Sequence, residues 1–528
     1  MRALLLVLIG GAICYNYTES ATVADAFIKT LVQLPIFVVI AYCYAVSRRY
    51  CVGRRRWFDY VFNVLFALYV VITVAECYLC LFVKSGFTPS ILTFLFQTNA
   101  GETHGFVHAY LTNKMFFLFV LALLISAILI GAVSYLAPGR FMPRVFSRWL
   151  ITICLILAFI FPTYPCTSVS RLAHSLYYYC LGRSGEGELC FDTKIHSACA
   201  APHTVVLIIG EAFSKHHSSL YDYEKQTNPC LEALVKSGNL YPFYDVISPY
   251  NKTHMMLKEL LSMHSVDASR RWSDYPLWPQ IFKEGGYYVS FVSNQVPAAV
   301  PNEPEAYFFQ NKIVEDSCFN YRNNQAYRYD EGLFNELQMI SGVCGHPNEL
   351  TILHLNGQHI YATNNFPHER FTMFQSSDYI PNNMDLDSRQ VQELADYDNA
   401  TLYNDYVVSC IMRWYEDREA VVVYLSDHGE EVHDYRPFLG RSHKMVPTRE
   451  ELKYQYEIPF MIYMTDKYKR ANPDVVRKIE MAQRRRFMSD DLPHMLLGLS
   501  GIETGWYDAS RDVLAPDFNQ SRVRIFGY

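Results

Sequence analysis

The apolar positions of this chain fall into two patterns: long runs in the first 164 residues, and short, strand-length runs after about residue 200. Three of the long runs have enough apolar residues to cross a hydrocarbon core of about 30 Å as helices, and the first and last are shorter. The five predicted membrane segments are 3–17, 27–47, 58–83, 115–137 and 150–164. The pattern predicts an α-helical membrane domain over 1–164 and a separate outer domain over 165–528.

Arginines determine the predicted orientation of the membrane domain. Five follow the second segment and three follow the fourth: Arg48, Arg49, Arg54, Arg55 and Arg56, then Arg140, Arg144 and Arg148. The positive-inside rule puts both loops in the cytoplasm, so that loop 84–114 and the whole outer domain lie on the other side. The first segment can alternatively be a signal peptide, because it is short and begins with Arg2, and the orientation is then the same. Glu76 lies within the third segment; it is either functional or, as we favour, wetted at the outer interface.

Strand and helix patterns alternate in the outer domain. Strands are predicted at 204–210, 287–293, 350–355, 421–426 and 458–463, and helices at 229–237, 254–263, 277–284 and 390–416. This alternation favours an α/β domain with a mostly parallel sheet that is covered by helices on both faces.

Composition adds two constraints. The net charge of −6 and the absence of an arginine-rich tail argue against a nucleic-acid partner. Eight of the 14 cysteines follow the membrane domain, and an even number in an exported domain favours disulfides. Proximity alone favours Cys180 with Cys190 and Cys318 with Cys344, although the sequence does not determine the connectivity.

Acidic and imidazole groups follow two of the predicted strands. Asp427 and His428, in Ser-Asp-His-Gly, follow the run 421–425, and Glu211 ends the run 205–210. Ligands of open α/β sheets bind beyond the carboxyl ends of the strands, so we expect these three side chains to meet at one sheet edge. Two carboxylates and a histidine suit a metal cation, with zinc as the first choice.

Thr253 is the candidate nucleophile. It lies just before the helical run 255–261, where backbone N–H groups favour an anion. The ordinary alternative is that Thr253 is only a helix N-cap. A threonine hydroxyl is a weak nucleophile, and metal coordination is one way to activate it.

Further polar residues are predicted at the same sheet edge. His354 and His359 follow the strand at 349–353, and His443 lies downstream. They could bind a second metal or a phosphate, or they could be ordinary hydrogen-bonded histidines. Asn294 follows another strand and is either a substrate contact or an Asx turn.

In order and spacing, these motifs resemble the membrane-bound phosphoethanolamine transferases of the alkaline phosphatase and sulfatase superfamily. This family includes the lipid A transferases behind polymyxin resistance and the core-oligosaccharide transferases. The resemblance covers essentially the whole chain and rests on motifs at 98–102, 209–211, 251–253, 353–359, 397–399 and 426–430. The wording at 293–295 and 357–359 is closer to that of the core-sugar enzymes.

The resemblance implies a role for each candidate residue. Thr253 would be the phosphorylated threonine, and the zinc ligands would be Glu211, Thr253, Asp427 and His428. Groups around the transferred phosphate would be His359, His443 and Asn294, with His354 beside them, and those near the lipid headgroup would be Asn99 and Glu102. One tight zinc site is implied, with room for a second. The lipid A enzymes carry a lysine shortly after the Asn294 position, but residues 296–300 contain none, and Arg441 is the candidate substitute.

The resemblance also implies a function. A multi-pass, monomeric protein of the bacterial inner membrane would transfer phosphoethanolamine from phosphatidylethanolamine to lipopolysaccharide, through a phosphothreonine in its periplasmic domain. Three alternatives remain open: a zinc phosphodiesterase or sulfatase that uses water, a glycerol-phosphate transferase of the teichoic-acid type, and an inactive binding protein. A sulfatase usually needs a modified Cys or Ser before x-Pro-x-Arg, which the sequence around Thr253 lacks.

Overall fold

The computed structural model describes most of the outer domain and part of the N-terminal region. The described residues are 2–19, 23–52, 56–83, 86–88, 91–92, 167–184, 190–197, 204–295, 316–343, 346–359, 361–379, 386–442 and 447–526. The chain divides into two compact units: the helical unit (Met1–Gly185 with Ser442–Thr448 and Tyr528) and the sheet unit (Glu186–Arg441 and Arg449–Gly527).

The helical unit contains three of the five predicted membrane segments as helices. Its helices are α1 (Arg2–Glu19), α2 (Val23–Val52), α3 (Arg56–Tyr78), which continues as a π-helical turn (Leu79–Val83), and α4 (Ser168–Ser184). Among the described residues, Asn63–Leu81 is the one stretch long and apolar enough to cross a membrane, and Leu4–Thr18 and Ala26–Val38 are shorter apolar helices. The predicted segments 115–137 and 150–164 lie outside the described residues.

Glu76, near the end of α3, is buried rather than wetted. Its side chain is 1% exposed and accepts hydrogen bonds from the Arg171 guanidinium, with Nε at 2.6 Å from Oε1 and Nη2 on Oε2. Our preferred interpretation of Glu76 was therefore wrong, because the sequence gives no sign that α4 supplies a partner 95 residues away.

A seven-stranded sheet forms the centre of the sheet unit. Its strands are β1 (Thr204–Gly210), β2 (Leu240–Phe243), β3 (Tyr288–Ser293), β4 (Tyr321–Arg322), β5 (Glu349–His354), β6 (Ala420–Ser426) and β7 (Phe460–Met464). They lie in the order β2-β7-β6-β1-β5-β3-β4. β7 pairs antiparallel with both of its neighbours, and the other four pairings are parallel, so the prediction of a mostly parallel sheet is confirmed.

The register aligns the carboxyl ends of four central strands. Gly210 of β1 pairs with Ser426 of β6, and Ile209 pairs with His354 of β5, which also pairs with Ser293 of β3. The residues that follow these strands therefore meet at one edge of the sheet.

Helices cover both faces of this sheet. They are α5 (Pro229–Lys236), α6 (Thr253–Leu260), α7 (Trp278–Glu284), α8 (Leu333–Val343), α9 (His368–Phe371), α10 (Ser388–Trp414), α11 (Arg449–Tyr456), α12 (Asp466–Ala471), α13 (Pro473–Ala482) and α14 (Leu492–Ser500). Side chains of β1 alternate between two apolar cores: Val205, Leu207 and Ile209 face one, and Val206 and Ile208 face the other. Burial on both faces explains the unbroken apolar run of β1.

Three two-stranded ladders complete the sheet unit. Ile195–Ser197 pairs with Glu503–Thr504, Val246–Ile247 with Phe487–Met488, and Glu431–Val432 with Leu439–Gly440. Cys190 and Cys318 are free thiols, so neither of the two disulfides that we favoured is formed.

Candidate active site

Glu211, Asp427 and His428 meet beyond the ends of β1 and β6. Nε2 of His428 lies 3.3 Å from Oε1 of Glu211 and 3.1 Å from Oδ2 of Asp427. All three side chains are at most 1% exposed. One ligand atom from each lies within 4.8 Å of the others, so the three could hold a single metal ion.

Backbone contacts fix the two loops that carry these residues. Ala212 has a φ of 55°, a left-handed conformation that is unfavourable for alanine. Oδ1 of Asp427 stabilises it by accepting hydrogen bonds from the N–H of Ala212 at 3.1 Å and of His428 at 2.8 Å. Nδ1 of His428 donates to the carbonyl of Gly429 at 2.8 Å. The proton is therefore on Nδ1, and Nε2 is left as a lone-pair donor for a metal.

Thr253 points its hydroxyl into this cluster. Its Oγ1 lies 3.1 Å from Oε1 of Glu211 and 3.2 Å from Nε2 of His428. Lys252 is the N-cap of α6, and Thr253 is the first helical residue, with no side-chain capping bond. The alternative in which Thr253 is only an N-cap is therefore excluded by the geometry.

The chemistry of the cluster fits a divalent cation. Oδ2 of Asp427 is buried and has no hydrogen-bond donor among the described residues. Burial and the charge of Glu211 raise the pKa of Asp427 well above its usual range. Burial acts in the same direction on Glu211, but its surroundings, His428 foremost, hold the pKa of Glu211 well below its usual range. Two buried carboxylates this close repel each other, and a metal ion would offset that repulsion.

The loop after β5 packs directly on Glu211. Gly357 has a φ of 50°, and a Cβ at this position would lie 2.8 Å from the carbonyl oxygen of Glu211. The N–H of Gln358 donates to that oxygen at 3.0 Å. Asp330 holds the loop by accepting hydrogen bonds from the N–H groups of Asn356 at 2.9 Å and Gly357 at 3.0 Å. His359 follows, and it contributes to lowering the pKa of Glu211.

Of the other predicted contact residues, two lie among the described residues and three do not. The amide of Asn294 donates to Asp330 at 2.8 Å and accepts from the N–H of Tyr327 at 2.6 Å, which favours the structural alternative over a substrate contact. His354 is fully buried, with Nδ1 3.4 Å from the hydroxyl of Ser293. His443, Asn99 and Glu102 lie outside the described residues.

Several residues at the site received no role, or only a minor one, in the predictions from the sequence. Gln295 donates to Oε2 of Glu211 at 2.9 Å. The hydroxyl of Tyr397 donates to the carbonyl of Ala212 at 2.6 Å. Arg441, named above only for its proximity to His443, contacts Nε2 of His428 through Nη1, and its Nε lies 3.2 Å from Glu430. Tyr397 and Glu430 lie in the motifs at 397–399 and 426–430. Membership of these motifs was the feature of the sequence that could have identified them as site residues.

Residues 203–502 match the model of the Sulfatase family, and this is more than half of the chain. The chain therefore belongs to the sulfatase family.

Two further comparisons, one of sequence and one of structure, are with EptC of Escherichia coli. Phosphoethanolamine transferase EptC of Escherichia coli K12 is 28% identical over 325 residues, which are 61% of this chain and 54% of EptC. The chain thus spans about half the length of that relative. The zinc complex of the C-terminal periplasmic domain of E. coli EptC is 28% identical, with a TM-score of 0.55 over 65% of this chain and 93% of that one.

A third comparison extends over almost the whole chain. The integral membrane protein lipooligosaccharide phosphoethanolamine transferase A of Neisseria meningitidis superposes with a TM-score of 0.64, covering 97% of this chain and 98% of that one at 17% identity. At that identity the similarity shows a shared fold and no more.

Proposed function

We propose that this sulfatase-family chain transfers phosphoethanolamine from phosphatidylethanolamine to a lipopolysaccharide acceptor. The observation that carries the proposal is the hydroxyl of Thr253, which lies 3.1 Å from Glu211 and 3.2 Å from His428 in a buried metal-type cluster. The name of the EptC relative supports the choice of phosphoethanolamine as the transferred group.

Zinc is the metal we propose. Glu211, Asp427 and His428 would hold it, with Thr253 as the fourth ligand, and this mixture of oxygen and nitrogen donors suits zinc. The relative crystallised as a zinc complex has the same fold in this region. When bound, the ion would lower the pKa of the threonine hydroxyl and neutralise charge on the phosphoryl group.

The proposed reaction has two displacements. Oγ1 of Thr253 attacks the phosphorus of phosphatidylethanolamine, a P–O bond forms, and the bond from phosphorus to the glycerol oxygen breaks. The proton of the threonine passes to a base and then to diacylglycerol, which leaves as an alcohol. An acceptor oxygen on lipopolysaccharide then attacks the phosphothreonine, gives up its proton and releases Thr253. His359, on the loop that packs on Glu211, is our candidate for moving these protons.

Arg441 is the proposed cation for the transferred phosphate. Its guanidinium lies against His428, which in turn contacts Thr253. An arginine fork pairs with two phosphate oxygens at once. This would compensate for the lysine that is absent from residues 296–300.

The membrane setting belongs to the same proposal. A lipid donor requires a protein at the bilayer, and the apolar stretch Asn63–Leu81 is long enough to span one. We propose a multi-pass inner-membrane protein with its sheet unit in the periplasm, where lipopolysaccharide precursors are modified.

Intact-mass analysis tests the function. The full-length protein in detergent, with zinc, is incubated with phosphatidylethanolamine, and we expect a phosphoethanolamine adduct that maps to Thr253. Thr253→Ala should form no adduct, whereas Thr372→Ala, at an exposed threonine, should match the wild type. An adduct on Thr253→Ala would contradict the mechanism. Steady release of free phosphoethanolamine without acceptor transfer would instead identify a hydrolase.

A further inference from the structure

A small cavity lies beside the metal cluster in the sheet unit. Its volume is about 50 Å³. Its lining includes Gln358, His359, Tyr361, Glu393, Tyr397 and Glu430. Three of its lining residues, Glu393, Asp396 and Glu430, carry carboxylates, so the cavity favours a cation.

Two buried acceptors in this lining lack donors among the described residues. Oε1 of Glu430 has no hydrogen-bond partner, although the side chain is only 2% exposed. Gln358 is 1% exposed; its Nε2 donates to Thr401 at 3.3 Å, while its Oε1 has no donor. Buried acceptors without donors are unfavourable. A ligand that brings several N–H donors would satisfy both.

The other two carboxylates already have partners. Glu393 accepts from Arg389 at 2.9 Å and contacts Nε2 of His433 at 2.9 Å. Asp396 accepts from Gln392 at 2.9 Å. Glu430 is the one of the three whose buried oxygen, Oε1, lacks a donor among the described residues, and its other oxygen lies 3.2 Å from Nε of Arg441.

The size of the cavity limits the ligand. About 50 Å³ of space accommodates roughly three to five water-sized groups. An aminoethyl group has two carbons and a nitrogen and fits this space. A trimethylated choline has about twice as many heavy atoms and exceeds this space.

Short contacts connect the wall of the cavity to the cluster of Glu211 and His428. Its wall residue Gln358 donates its N–H to the carbonyl of Glu211 at 3.0 Å, and Tyr397 donates to Ala212 at 2.6 Å. On the other side, Glu430 pairs with Arg441, which contacts His428. A phosphate at Thr253 and an ammonium in the cavity would thus face groups of opposite charge.

We propose that this cavity is a subsite for a primary ammonium group, with Glu430 and Gln358 as the acceptors. It rests on the proposed function and extends it: the subsite would select the ethanolamine headgroup over the choline headgroup. A primary ammonium donates three hydrogen bonds, whereas a trimethylated one donates none.

Binding of soluble headgroups tests the subsite separately from catalysis. Glycerophosphoethanolamine and glycerophosphocholine are titrated into the zinc-loaded full-length protein and followed by saturation-transfer NMR. We expect the ethanolamine compound to bind and the choline compound to bind at least tenfold more weakly. Glu430→Gln should weaken ethanolamine binding about 30-fold, because it removes one member of a buried charge pair. Glu369→Gln, at an exposed glutamate, is the matched control and should bind like the wild type.

A second variant keeps the charges and removes the space. Leu439 also lines the cavity, so Leu439→Phe should reduce ethanolamine binding while bound zinc, measured by elemental analysis, stays at the wild-type level. Equal binding of both headgroups, no binding of either, or wild-type affinity in both Glu430→Gln and Leu439→Phe would overturn the subsite. Selective binding without a Thr253 adduct would support the subsite and overturn only the proposed transfer.

Discussion

The sheet unit buries two clusters that each combine one histidine with two carboxylates, and the clusters differ in where the carboxylates contact the ring. In the first, Nδ1 of His217 lies 2.7 Å from Asp398 and Nε2 lies 3.4 Å from Asp434. Tyr223 and Tyr379 also donate to Asp398, at 2.8 and 2.5 Å. Because the carboxylates bind opposite ring nitrogens, no point is shared by all three groups, and the imidazolium itself serves as the cation.

In the second cluster both carboxylates approach the same ring nitrogen. Glu211 and Asp427 lie 3.3 and 3.1 Å from Nε2 of His428, while Nδ1 is used by a backbone carbonyl. This arrangement leaves a common point among the three ligand atoms. The comparison teaches that residue types alone do not determine whether such a cluster could hold a metal ion; what differs is the ring nitrogen that the carboxylates face.

The largest expected difference between the clusters is in metal binding. Asp427→Asn should reduce zinc affinity and adduct formation at least a hundredfold, since changes outside the ligand shell already cost about 10- to 100-fold. Asp398→Asn should keep zinc but lower the free energy of unfolding by about 3–5 kcal/mol, because it leaves part of a buried ion pair unpaired. Elemental analysis and thermal unfolding of both variants provide the measurements. Zinc loss in Asp398→Asn with the fold intact would contradict the inference that only the second cluster binds the metal.

The sequence predicted that Glu211, Asp427 and His428 meet, because parallel pairing aligns strand ends. The apolar runs of β1 and β6 gave their boundaries, and the register of Gly210 with Ser426 then brought Glu211 and Asp427 together. The prediction thus combined local apolar patterns with one general rule, that ligands of α/β sheets bind beyond the carboxyl ends of the strands.

Loop geometry was not predictable in the same way. At the end of β3 the sequence suggested Asn294 as a site residue, but in the structure Asn294 turns to Asp330 while its neighbour Gln295 reaches Glu211. The partner of Glu76 was missed for the same reason, since Arg171 lies 95 residues away. Long-range side-chain pairing depends on packing, which no periodicity encodes.

The first cluster (His217, Asp398 and Asp434), here called the closed cluster, should affect the pH dependence of stability. Although burial alone would lower it, the charges of Asp398 and Asp434 raise the pKa of His217 to about 10, above about 6.5 for an unfolded histidine. A raised pKa gives stability that is complete below about pH 6.5 and is lost as the pH rises towards 10. Between pH 7 and 9 the free energy of unfolding should fall by about 2–3 kcal/mol on this account.

His217→Gln isolates this contribution. Its stability, measured by chemical unfolding at each pH, should lack the alkaline loss that the wild type shows. Parallel wild-type and variant curves between pH 7 and 9 would contradict a charged His217 in the closed cluster.

The second cluster (Glu211, Asp427 and His428), here called the open cluster, should be more sensitive to displacement of the backbone, because Glu211 is held by main-chain contacts as well as by side chains. A Cβ at Gly357 would lie 2.8 Å from the carbonyl oxygen of Glu211, and the φ of 50° is itself unfavourable for alanine. Gly357→Ala should therefore shift Glu211 and weaken zinc binding about tenfold, as for other supporting contacts of a metal site. Gly342→Ala in α8 has no atom within 4 Å of the new Cβ and should leave zinc affinity unchanged while stabilising the helix by up to about 1 kcal/mol. Competition with a zinc chelator measures both variants, and equal affinities would mean that the loop after β5 can retreat without moving Glu211.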